Sequence, residues 1–178
     1  MSEAAFARIL AFLKTVPSAD LSPVADFGVV DDGSSATGEL MNLLTRMNLL
    51  YKIEKSPDRA FHLNVHPGNK DNPSALAHKI RADLGDENRS LRIYGSEVVI
   101  GRLLSGPNQA RVFLLNYSYR PIQGLRVRVR GAYSKADLRA PQATDAHVAD
   151  LSQEGPATEF AIPDLHTFAI IDLTRPNS

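Results

Sequence analysis

Between Leu125 and Arg130 the chain reads Leu-Arg-Val-Arg-Val-Arg, and this strict alternation constrains the fold more than any other stretch. A period of two puts Leu125, Val127 and Val129 on one side of a strand and Arg126, Arg128 and Arg130 on the other. One side needs a core; the other needs water or an anion. The run belongs to a longer stretch, RVFLLNYSYRPIQGLRVRVRGAY at 111–133, which predicts two strands joined by a tight polar turn at Pro121 to Gly124. The first of them, Arg111 to Tyr119, carries apolar residues at both parities, as a central strand should.

The same short-strand pattern extends in both directions. Leu91 to Tyr94, Glu97 to Leu104, Thr158 to Ile162 and Thr167 to Leu173 read as further strands, broken at Gly95, at Ser105 to Asn108 and at Pro163 to Asp164. Tyr133 to Gly155 reads as a long connection with one short strand near His147 to Leu151. Six or seven strands in this region predict a β-sandwich.

Upstream of residue 89 the period is different. Phe6, Ile9, Leu10 and Leu13 mark one face of an amphipathic helix, capped by Ser2 and expected to pack. Phe27 to Val30, a loop at Asp31 to Ser35, a helix over Leu40 to Met47 and a strand over Leu49 to Ile53 form a βαβ unit with parallel strands. Ser35 or Thr37 is the expected cap of that helix, Glu39 is placed in its first turn, and Asn48 closes it in a left-handed conformation. Phe61 to Val65 reads as another strand. Asn72 caps a last helix with Pro73 at its first position and Gly85 as its stop.

Charge then narrows the function. Twenty basic residues balance twenty acidic ones, so no bulk field draws the chain to nucleic acid. With no cysteine, thiolate catalysis, zinc-thiolate sites and disulfides are excluded. No apolar run approaches the roughly 20 residues that span a bilayer, and the N-terminal stretch reads as a folded helix rather than a signal peptide. The expected location is secreted or periplasmic within a longer protein, and cytoplasmic otherwise.

Four segments carry a resemblance: VVDDGSSATGELMNLLTRMNLLY at 29–51, LRIYGSEVVIGRLL at 91–104, LLNYSYRPIQGLRVRVRGAY at 114–133 and ATEFAIPDLHTFAIIDL at 157–173. Together they resemble the C-terminal regions of large bacterial proteins related to glycoside hydrolases. In those proteins a class I glutamine-amidotransferase-like α/β domain, similar to the trimerisation domain of family 42 β-galactosidases, leads into a terminal β-sandwich. The resemblance implies an α/β plus all-β chain, with an abridged flavodoxin-like or amidotransferase-like α/β domain over residues 1–88 and an antiparallel Ig-like β-sandwich over residues 89–178. It also implies a noncatalytic accessory or interaction module, acting in domain packing, oligomerisation or partner docking, with no cofactor. The nucleophilic cysteine of a working amidotransferase has no counterpart here.

The residues themselves supply few sites. Arg126, Arg128 and Arg130, with Tyr117, Tyr119 and Tyr133 close in sequence, form the leading binding-surface candidate, since guanidinium forks and aromatic faces hold sugar hydroxyls or a partner's acids. That gives the alternative function, a carbohydrate-binding module. Asp31 and Asp32 sit where βαβ units carry functional groups, and a hydrolase would use them with Glu39, the reading with least support. A strand end that turns the chain and caps a helix is the favoured account of both aspartates. His62 and His66 share a face if their strand continues, yet no third metal ligand follows at a recognisable spacing.

Overall fold

A computed structural model describes residues 3–68, 71–141 and 146–176. Helix α1 (Glu3–Thr15) opens it; Ser2, its expected cap, lies outside the described residues. A two-residue strand, β1 (Ser22–Pro23), precedes β2 (Phe27–Val30), α2 (Ser35–Arg46), β3 (Tyr51–Glu54), β4 (Asn64–Val65) and α3 (Pro73–Leu84). Strands β3, β2 and β4 form a parallel sheet in that order, with Phe27 opposite Tyr51 and Val29 opposite both Ile53 and Val65. Phe27 and Val29 meet Leu40 and Leu44 of α2 and Ala77 and Ile80 of α3 in one buried cluster. The parallel βαβ expectation therefore holds, although the strand expected from Phe61 shrinks to Asn64–Val65.

Helix ends follow local chemistry closely. Asn72 caps α3 by accepting from the Ala75 amide at 3.1 Å, with Pro73 in the first turn. Asn48 adopts φ 56°, the left-handed stop expected of it. For α2 the cap is Ser34, whose hydroxyl accepts from the Thr37 amide at 3.2 Å, rather than Ser35 or Thr37. Glu39 falls beyond the first turn for the same reason: the helix begins at Ser35.

Beyond a short 3₁₀ turn (Asp86–Asn88), the chain runs through β5 (Leu91–Tyr94), β6 (Val99–Ser105), β7 (Gln109–Asn116) and β8 (Ile122–Arg130). Strands β9 (Lys135–Arg139), β10 (Ala149–Glu154), β11 (Ala157–Leu165) and β12 (Phe168–Thr174) complete it. A five-stranded sheet, β1-β6-β7-β12-β9, faces a four-stranded sheet, β10-β11-β8-β5, and every pairing in them is antiparallel. Val112 and Ile171 from one sheet and Val127 and Phe160 from the other share the core between them.

Here the sequence expectation needs correcting. β7 and β8 are consecutive but unpaired: β7 lies between β6 and β12, and β8 lies between β5 and β11. The turn between them is a crossover from one sheet to the other. Buried Asn116 pins it, donating from Nδ2 to the carbonyls of Arg120 (2.8 Å) and His166 (2.6 Å), the latter in the link between β11 and β12. β11 also continues through Pro163, opposite Gly124 at φ 66°, where a missing N–H interrupts the ladder without ending the strand.

α1 and β1 lie on the sandwich rather than on the parallel sheet. β1 pairs with the end of β6, Phe12 of α1 meets Phe168 edge to face at 6.3 Å, and buried Arg111 donates to the Pro17 carbonyl at 3.0 Å. α1 half-buries Ile9 and Phe12, and Val16 just beyond it is half-buried too, so the residues expected to pack, Phe6, Leu10 and Leu13, are instead 51%, 44% and 42% exposed. The sheet takes the neighbouring face of the helix because the stripe is apolar on both sides of Ile9.

Candidate functional site

Strand pairing assembles an outward face on the four-stranded sheet. Arg128 of β8 stands opposite Arg92 of β5 and Glu159 of β11, and Arg126 stands opposite Tyr94 and Ala161. Glu159 receives both arginines, Arg128 at 3.1 Å and Arg126 at 3.4 Å. Arg92 lies over the Tyr94 ring at 4.8 Å and pairs with Asp86 at 2.8 Å. Burial pushes the Tyr94 phenol above its ordinary pKa. The result is a flat patch with one ring, several guanidinium groups and small alanines beside them. Each fork keeps N–H groups that no acceptor among the described residues uses.

The expected members of this face are distributed differently. Arg126 and Arg128 are on it, whereas Arg130 donates to the Glu87 carbonyl at the edge of the 3₁₀ turn. Tyr119 is fully exposed in the crossover, and Tyr117 follows β7 of the other sheet, donating its hydroxyl to the Glu97 carbonyl at 2.8 Å. Tyr133 is 2% exposed, with Arg175 over its ring. The aromatic beside the arginines is Tyr94. It was readable in Leu91 to Tyr94, where Leu91 and Ile93 alternate with Arg92 and Tyr94.

Asp31 and Asp32 occupy the carboxyl end of β2 as expected of the βαβ unit. Asp31 accepts from the Gly33 amide at 2.9 Å; Asp32 accepts from the Ser34 amide at 2.9 Å and from the Thr37 hydroxyl at 2.7 Å. Those bonds, the Thr37 hydroxyl first among them, hold the Asp32 carboxyl down at a pKa of about 2. Both side chains thus organise the loop that enters α2, and Glu39 is exposed beyond them. His62 and His66 flank the shortened β4 rather than sharing a strand face. Among the described residues no group of three or more His, Asp or Glu side chains is placed to hold a metal ion, and no helix is long and apolar enough to cross a membrane.

Comparison with known proteins adds fold. No protein-family model matches the chain, and no curated protein matches it significantly in sequence. Among solved structures, α-L-fucosidase isoenzyme 2 from Paenibacillus thiaminolyticus superposes with a TM-score of 0.68 over 99% of this chain, at 9% identity. The likeness is one of fold, shared with part of that fucosidase. This chain covers 53% of that one, about half its length. An Anoxybacillus α-amylase matches 80% of this chain and 33% of its own at 11% identity, but its TM-score of 0.28 carries no weight.

Proposed function

We propose that this chain is a noncatalytic accessory unit of a glycoside-hydrolase-like system and that it docks through α1. The observation that carries this reading is the open side of the helix. α1 is already seated on the sandwich by Phe12, yet Phe6, Leu10 and Leu13 remain outside at roughly half exposure. Apolar side chains at this spacing form a continuous stripe, and such a stripe left open on a folded surface marks a contact site. Its occupant would be an apolar surface on another part of such a system, for which the unmatched remainder of the fucosidase-like architecture leaves room.

Sedimentation velocity over a concentration series tests this. Without its partner the stripe should drive weak self-association, and Leu10→Asp, exposed and therefore tolerated by the fold, should abolish it. A strictly monomeric wild type at every concentration, with no binding of an apolar dye, removes the docking reading.

A second reading rests on the Tyr94, Arg126, Arg128 and Glu159 face, which suits a carbohydrate: the ring offers a stacking surface and the forks offer donors for hydroxyls. On a glycan array the wild type should retain at least one polysaccharide class, and Tyr94→Ala and Arg128→Ala should each weaken retention on the order of tenfold. Absence of retention by the wild type removes it.

A further inference from the structure

A concavity of about 600 Å³ lies where the parallel sheet meets the sandwich. Its polar groups come from segments far apart in sequence: Asp26 before β2, His62 before β4, Asn88 and Ser90 around the 3₁₀ turn, and Arg130 at the end of β8. The volume is within the range of small-molecule sites. Phe61, Leu63 and Leu84 line it as well, giving one apolar wall.

The hydrogen-bond inventory shows what these groups still offer. Asp26 accepts from the Ser90 amide at 3.1 Å through both oxygens and from its hydroxyl at 2.5 Å through Oδ1, which fixes the carboxylate and leaves one lone pair on Oδ2. Asn88 donates one amide N–H to the Leu84 carbonyl at 2.8 Å, and its Oδ1 has no hydrogen-bond donor among the described residues. Arg130 uses one N–H on the Glu87 carbonyl and keeps the rest of its fork. His62 is exposed at the rim, with no partner among the described residues. A ligand must therefore donate toward Asp26 and Asn88 and accept from Arg130, while the His62 imidazole can take either part. Hydroxyl groups at one end and a carboxylate at the other meet that demand. A phosphate does not fit as well, because its second charge would face Asp26 and Asp83 across the same cleft.

We propose that this junction cleft binds a small polyhydroxylated carboxylate of the sugar-acid class, with the Arg130 fork on the carboxylate, Asn88 and Asp26 on hydroxyls, and Phe61 and Leu84 against the carbon skeleton. The cleft is separate from the open stripe of α1 and from the Tyr94 face, so its ligand does not depend on either being a contact site.

The test is an amide NMR titration of the folded chain with sodium glucuronate, repeated with glucose. Glucuronate should give saturable shifts confined to residues 26, 60–63, 88–90 and 130, and glucose should bind on the order of tenfold more weakly. Arg130→Met and Asn88→Ala should each weaken glucuronate by a similar factor. Asn88 is exposed, so its variant serves if the arginine variant misfolds. The proposal is overturned by an absence of saturable shifts with glucuronate, by shifts that map elsewhere, by equal binding of glucose, or by folded variants that bind like the wild type.

Discussion

Two aspartates near β2 show how one residue type acquires opposite properties. Asp32 is exposed and accepts from the Thr37 hydroxyl and the Ser34 amide, so its charged form is favoured. Its folded pKa of about 2 lies below the unfolded value of roughly 3.9, so its contribution is complete above the unfolded value and disappears as pH falls through about 2. Asp26 runs the other way. Burial outweighs its bonds to Ser90 and raises its pKa, so the native state holds that proton more tightly and ionisation erodes stability as pH rises past the unfolded value. A carbon-detected NMR titration should place the Asp32 carboxyl midpoint near 2, and Thr37→Val should move it upward toward the ordinary range. A wild-type midpoint near 3.9 would show that the bond from Thr37 does not persist in solution.

At the scale of elements, what the sequence disclosed depended on how local the cause was. Asn72, Pro73 and Gly85 bound α3 by chemistry confined to a few residues, and they were readable for that reason. The alternation in β8 assigned its inner and outer faces correctly: Leu125, Val127 and Val129 are fully buried. Pairing was not readable. Nothing local to Arg111 to Tyr133 distinguishes a hairpin from a crossover, because that choice is made by β5, β6, β11 and β12 lying beside the two strands. β9 carries little local signal for a related reason. Lys135–Arg139 is a short charged edge strand, the composition that edges use to discourage further pairing, and its half-buried Ala136 and Leu138 pair with β12 and pack on the sandwich core. The Arg and Tyr surface was half legible, since Arg126 and Arg128 were in the pattern while Glu159 reaches them only through the register of β11. The junction cleft gave no sequence signal, being built from four separate segments.

Among the described residues are two buried clusters, one in the sandwich and one under the parallel sheet, and polar side chains join them. Asn48 carries much of that link. Its side-chain amide donates to the Val99 carbonyl at 2.9 Å and accepts from the Gly101 amide at 2.6 Å, so it completes the free edge of β6 as a neighbouring strand would. Arg89, 8% exposed, adds donation to the Met47 and Asn48 carbonyls at 3.3 and 3.4 Å, where the end of α2 leaves acceptors unused. These groups are buried, and losing one strands its partner at a cost of about 1–3 kcal/mol. Asn48→Gly isolates the effect, since glycine tolerates the left-handed backbone and removes only the amide. Native-state hydrogen exchange reads the outcome. In the wild type the slowest amides of β2 and of β7 should open together, with one free energy; in the variant those of β2 should open first while β7 keeps its protection. Loss of protection by equal amounts in both clusters would show that their coupling lies in the apolar contacts between them, and not in the amide that bridges α2 to β6.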